Sequence, residues 1–155
     1  MYRVVLVSLL FLSACTSQTG ITSKNTDGDP INSKEINKPS SIDACYISTF
    51  NRDTAHLKLT IHNNEVSGNL VYDRFEKDGN VGTIKGRVQD SLIIADYTFQ
   101  SEGMTSVREV VFKIKDESLI EGFGDIVMKG DTAVFKNITQ LKFQAEQPFV
   151  KEECR

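Results

Sequence analysis

The side chains able to do chemistry here are three cysteines, two histidines, scattered carboxylates, and the arginines Arg74 and Arg108. His56 and His62 lie on one face of an alternating run. At about 3.4 Å per residue they stand roughly 20 Å apart, too far to share a metal. The glycines of Gly79-Asn80-Val81-Gly82-Thr83-Ile84-Lys85-Gly86 are spaced loosely as in a phosphate loop. They lack the Gly-Lys-Ser/Thr ending and lead into a strand pattern, so they read as turn and packing glycines. The chain has no Gly-x-Ser-x-Gly elbow and no Cys-x-x-Cys pair. Glu76 with Glu102, or Glu121, could form a carboxylate pair, but nothing in the sequence sets their separation. With no catalytic or cofactor motif, the expectation is a protein that is not an enzyme and carries no cofactor or metal.

The arginines matter because of where the pattern puts them. From residue 45 onward, short alternating runs are separated by turn residues, with strands expected near 45–50, 54–62, 65–76, 81–89, 92–102, 105–115, 118–129 and 133–143. Breaks fall at Asn63-Asn64, Asp78-Gly79-Asn80, Asp90-Ser91, Gly103-Met104, Asp116-Glu117 and Gly130-Asp131. No helical period is sustained. The fold class is therefore all-β, an antiparallel meander closing as an eight-stranded barrel and lipocalin-like in plan, with a β-sandwich as the alternative. A Gly103-Met104 turn pairs Phe99 with Arg108, Tyr97 with Val110, Ala95 with Phe112 and Ile93 with Ile114. A loop at Asp78-Gly79-Asn80 pairs Leu70 with Val88, Tyr72 with Gly86 and Arg74 with Ile84, which lays an aromatic ring over a strand glycine.

These registers turn Arg74, Glu76, Ser101, Ser106 and Arg108 inward at one rim. An inward charge costs free energy unless it is paired or wet, so a polar mouth is expected there, with Tyr72 beside it. Two guanidinium groups make it a site for an anion; rim charges that pair with one another are the structural alternative. For the strand after Asp116-Glu117, a tight turn would put Asp125 opposite Arg108. A longer loop would point Ile120, Gly122, Gly124 and Ile126 inward. The second gives the more apolar face and is preferred.

The amino terminus reads Met-Tyr-Arg, then an apolar run over residues 4–12, then Ser13-Ala14-Cys15. One cation, a short apolar core and a small-residue exit are the parts of a secretory signal peptide. Leu12-Ser13-Ala14-Cys15 resembles the lipobox of bacterial lipoproteins. That resemblance implies cleavage after Ala14, a Cys15 carrying diacylglycerol and an amide-linked acyl chain such as palmitate, and a location in the cell envelope. The anchored side would be the exported one: the outer membrane, its periplasmic face or the surface. Several acyl chains, at about 0.8 kcal/mol per buried CH₂, exceed the two signals needed for stable anchoring. Domains follow as a signal peptide over 1–14, a lipidated cysteine and flexible tether over 15–42, and a β-barrel over 43–155. The tether has no aromatic residue, and its 27 uncleaved residues after Cys15 give a coil end-to-end distance of roughly 30 Å.

With Cys15 acylated, Cys45 and Cys154 remain, bracketing the folded region. In an oxidising compartment two such thiols argue for a disulfide. Loss of the leader removes only Arg3 and leaves 17 basic against 21 acidic side chains. That balance gives no footprint for nucleic acid, so the membrane is the expected partner, with an unknown ligand or envelope protein beside it.

The series Tyr72, Glu76-Lys77-Asp78-Gly79, Gly82, Gly86, Asp96-Tyr97-x-Phe99, Ser101-Glu102-Gly103, Ser106-x-Arg108 and Val110-x-Phe112 resembles a group of small lipid-anchored β-domain lipoproteins. It spans roughly residues 65–115 and carries no activity across. Two functions remain: a tethered module binding a small ligand or peptide end at its rim, and a structural or protein-interaction head without a pocket. An enzyme using Glu76 or Glu121 lacks a positioned base.

Overall fold

The computed structural model describes residues 41–154. Alternation builds a run of hairpins: β1 (Ser41–Phe50), β2 (Asp53–His62), β3 (Glu65–Asp73), β4 (Asn80–Gln89), β5 (Leu92–Ser101), β6 (Met104–Lys115) and β7 (Ser118–Phe123). Beyond them come β8 (Ile126–Lys129), β9 (Thr132–Phe135), a 3₁₀ turn (Ile138–Gln140), β10 (Lys142–Phe143) and β11 (Phe149–Glu152). Each of β1 to β7 pairs antiparallel with the next, and β11 lies between β7 and β1. The ring closes as an eight-stranded antiparallel barrel, without the free edges of a sandwich.

Inward positions alternate as half-buried strands require. Ala55, Leu57 and Leu59 on β2, Ile93, Ala95 and Tyr97 on β5, and Val110 and Phe112 on β6 are all buried. They pack with Val66, Leu70, Ile84, Leu119 and Phe149 into one cluster, so the middle of the barrel is filled. Burial of each large member contributes roughly 1.5–3 kcal/mol. The Phe112 and Phe149 rings meet edge to face at 5.4 Å, tying the closing strand to the core. Gly86 is needed where β4 bends against β5: a Cβ there would lie 2.1 Å from the Ile94 carbonyl oxygen.

Turn chemistry corrects the expected registers. The β5–β6 turn is Glu102-Gly103, both left-handed at φ 50° and 79°, not Gly103-Met104. This is the type I′ pattern, with glycine second. Tyr97 therefore faces Arg108, and Phe99 faces Ser106. The shift is two residues, an even number, so every side chain keeps its expected face. The β3–β4 register moves by six. Leu70 faces Gly82 and Tyr72 faces Asn80, so Tyr72 does not cover Gly86. Residues 74–79 leave the ladder, held by the Phe75 amide donating to Asp53 Oδ1 at 2.9 Å and by Arg52 lying over the Phe75 ring.

The expected strand over 118–129 ends at Phe123, and the eighth wall strand is not 133–143. At Asp116-Glu117 the turn is tight: Ile114 faces Leu119 and Phe112 faces Glu121. Leu119 and Glu121 thus point inward and Ile120 outward, reversing the preferred register. Asp125 lies beyond β7 and is exposed, and its expected pairing with Arg108 does not form. Ile120 remains buried because an outer layer covers it. Leu141 is buried too, and Leu141 and Phe143 lie where a Cβ on Gly122 would fall. Phe143 also stacks under Lys113, which is on the outer face of β6. That packing explains why β7 gives way to an excursion before β11 closes the wall.

The expected disulfide is present. Cys45 and Cys154 are bonded, with α-carbons 5.2 Å apart, and join the first strand to the second residue past β11. Cys15 lies outside the described residues, as does all of the expected tether except Ser41 and Ile42, which already belong to β1.

Candidate functional site

The turns after β1, β3 and β5 and the exit from β7 share one end of the barrel. The start of β1 and the turns Asn63-Asn64, Asp90-Ser91 and Asp116-Glu117 share the other. At the first end, the filled core stops short of the mouth and leaves a cavity of about 260 Å³. Aromatic and apolar groups (Phe50, Ala55, Tyr72, Phe123, Phe149) line it together with Arg74, Arg108, Glu121, Gln144 and Gln147. At this end β10 and β11 both pair with β7, with residues 144–148 connecting them and the Gln144 amide donating to the Glu121 carbonyl at 3.2 Å. The Ser48 hydroxyl donates to the Gln147 carbonyl at 3.3 Å and holds that loop across the rim.

Of the six expected ligand-binding residues, Tyr72, Arg74 and Arg108 line this cavity. Glu76 does not. It stands exposed in the β3–β4 connection at φ 56°. Ser101 and Ser106 are half-buried at the same end but are not part of the lining. Glu121 is the group that the register argument turned away, and Gln144 and Gln147 sit in a segment read as beyond the last strand. Only the tight Asp116-Glu117 turn could have signalled Glu121.

Arg108 is the unusual group. Its guanidinium carbon lies 5.1, 5.5 and 5.6 Å from the ring centroids of Tyr72, Tyr97 and Phe99. Its Nε is buried with no hydrogen-bond partner. Among the described residues the only ion pair within 4.0 Å is His56–Glu152, on the outer wall, so no carboxylate closes on Arg108. Three ring faces offset part of the lost hydration, at about 0.5–2 kcal/mol each at best. They cannot satisfy directional donors, which leaves the buried Nε of a half-buried arginine without an acceptor.

Glu121 is 9% exposed and accepts a 2.6 Å hydrogen bond from the Tyr72 hydroxyl. Burial raises its pKa, against the lowering effects of that bond and of Arg108 and Arg74. Burial also lifts Tyr72 well above the usual phenol value, and Glu121 adds to the rise. Burial again pushes Tyr97 up to about 12. Both phenols are therefore fixed donors, Tyr97 to the Leu70 carbonyl at 3.0 Å. The result is a cation backed by aromatic rings beside a carboxyl group that resists ionising.

Glu121 makes stability depend on pH in a defined direction. The unfolded chain releases this proton near the ordinary value of 4.5, and the folded chain does so only at higher pH. The stability conferred by the neutral form is thus complete below 4.5 and lost as pH rises through the folded value. Glu121→Gln stays neutral and keeps an acceptor for Tyr72. It should gain on the wild type in chemical denaturation as buffers go from mildly acidic to mildly alkaline. A stability difference that stays constant with pH would refute a perturbed Glu121.

Comparison with protein-family models, curated proteins and solved structures gives no match, so the site is read from its own geometry.

Proposed function

We propose that this chain is a lipid-anchored lipoprotein of the bacterial envelope whose barrel head holds a small carboxylate-bearing ligand, or a peptide end, in its mouth. The observation that carries the binding role is Arg108, a half-buried side chain whose buried Nε has no hydrogen-bond partner, at an aromatic-walled cavity. A carboxylate supplies the planar acceptor that a guanidinium fork matches, and the phenylalanine walls suit an apolar body. Arg74 adds charge at the entrance. The assignment is to binding, with no bond made or broken.

The anchor rests on Leu12-Ser13-Ala14-Cys15, and the disulfide fits an exported domain. The chain enters β1 at the end opposite the mouth, so a membrane tether there would leave the mouth facing outward. A head specialised for protein contact is the second reading, favoured by the exposed Ile126, Val127 and Met128.

The binding role is tested by titrating the chain with benzoate, hexanoate and N-acetylphenylalanine against their amides, followed by NMR. Arg108 Hε and the rings of Tyr72 and Phe123 should shift with the acids and not with the amides. No shift with any acid up to millimolar concentration would end this role. The anchor is tested separately. Cys15→Ser should accumulate as an unlipidated, uncleaved precursor, since a hydroxyl is a far poorer nucleophile than a thiolate. A Cys15→Ser chain found by mass spectrometry to be acylated and cut after Ala14 would remove the anchor assignment.

A further inference from the structure

Strand β8 is the last strand of the β6–β9–β8 extension of the wall, and its outer edge pairs with no strand among the described residues. The Lys136 amide donates to the Asp125 carbonyl at 2.8 Å, and β8 continues against β9 through Ile126↔Phe135, Val127↔Val134, Met128↔Ala133 and Lys129↔Thr132. In an antiparallel ladder that bond makes 125, 127 and 129 the residues whose backbone groups face β9. The amides and carbonyls of Ile126 and Met128 therefore point to the other edge, where they meet no backbone partner among the described residues. The side chains around them are apolar and open: Ile126 is 62% and Met128 64% exposed. Such an edge is a template for another strand.

The segment Asp125-Ile126-Val127-Met128-Lys129 is complementary to its own reverse. A two-fold axis through Val127 sets Ile126 against Met128 of a second copy and Asp125 against Lys129. The residues with free backbone groups then exchange hydrogen bonds, and Val127 meets its counterpart at a non-hydrogen-bonded position. Neighbouring axes do worse. An axis through Met128 sets Asp125 against Asp131, and one through Ile126 leaves Lys129 without a carboxylate. We infer that β8 is a self-association edge, at which a second copy of this chain adds its own β8 antiparallel to form an isologous dimer.

At a non-hydrogen-bonded position the two Val127 α-carbons would be about 4.5 Å apart, within the span of a disulfide. The full chain in detergent, carrying Cys15→Ser and Val127→Cys, should therefore cross-link to a dimer under mild oxidation. Met128→Cys in the same background should not cross-link. Sedimentation equilibrium gives a second reading on exposed residues that leave the core untouched. Lys129→Asp should weaken the dimer about tenfold, and Asp125→Lys with Lys129→Asp should restore it. A wild-type chain that stays monomeric at every accessible concentration overturns the proposal and leaves the edge to a different protein. So does a dimer indifferent to both charge reversal and the thiol's position.

Discussion

A chain with Cys45→Ala and Cys154→Ala should unfold with about 2–5 kcal/mol less free energy than the wild type. The bond joins residues 109 apart, and the chain-entropy model puts closure of a loop near that length at up to ~4.7 kcal/mol. The effect should approach the upper end because the closing strand is short. β11 meets β7 through two residue pairs and β1 through three, so little else keeps residues 149–152 in the wall. Once the strand can fray, Phe149 is free to leave its edge-to-face contact with Phe112. Equilibrium denaturation with and without reductant reads the loss directly. Hydrogen exchange should localise early opening to residues 149–152 and the start of β1. A difference below about 1 kcal/mol would mean that strand pairing alone closes the barrel.

Legibility in the sequence divides at Phe123. Up to there, alternation and turn residues placed the strands, and the register errors from β3 to β6 were even, whereas the preferred register of β7 against β6 was wrong by an odd number. Reading Gly103-Met104 for Glu102-Gly103 moved each pair by two, and losing residues 74–79 from the ladder moved the earlier pairs by six, yet Tyr72 and Arg108 still faced inward. A period of two tolerates even slips. After Phe123 local pattern ceases to govern. Ile126, Val127 and Met128 read as a continuation of β7, but Gly122 and Gly124 fit beneath Leu141 and let the chain leave the barrel. That contact spans about twenty residues and has no local signature. The closing strand was missed for a related reason, since β10 and β11 are two and four residues long and too short for alternation to show.

Glu121 shows the limit of arguing register from apolarity. The inward face holding Ile120, Gly122 and Ile126 looked the better core, and it lost to a turn. Ile120 nonetheless kept its burial, at 5% exposure, because the excursion that follows provides an apolar layer outside the wall. A one-sided model of the strand could not anticipate two buried faces. The cost of the observed register is a carboxyl group inside the barrel, stabilised by the Tyr72 hydroxyl and by raised affinity for its proton.

Arg108→Met should weaken binding of apolar carboxylates about a hundredfold while leaving unfolding free energy unchanged or raised. The two halves follow from one fact, that the buried Arg108 Nε meets no acceptor among the described residues. Hydrogen bonds to a charged group are worth about 1.5–3 kcal/mol each, and losing a bidentate pair of them accounts for the affinity. Stability behaves differently because the wild-type fold already bears the cost of an unpartnered buried donor, the Arg108 Nε. An apolar side chain of similar length keeps contact with Tyr72, Tyr97 and Phe99, and replacing buried charge by well-packed apolar groups is often neutral or stabilising. If Arg108 instead served only to brace the rings, the variant would lose roughly 2 kcal/mol or more, with the other cavity residues unaffected. Calorimetric titration beside denaturant unfolding separates the cases. Affinity equal to the wild type's would assign the anion to Arg74 or to no site in the mouth. Lost stability with lost binding would make Arg108 a strut whose removal collapses the pocket.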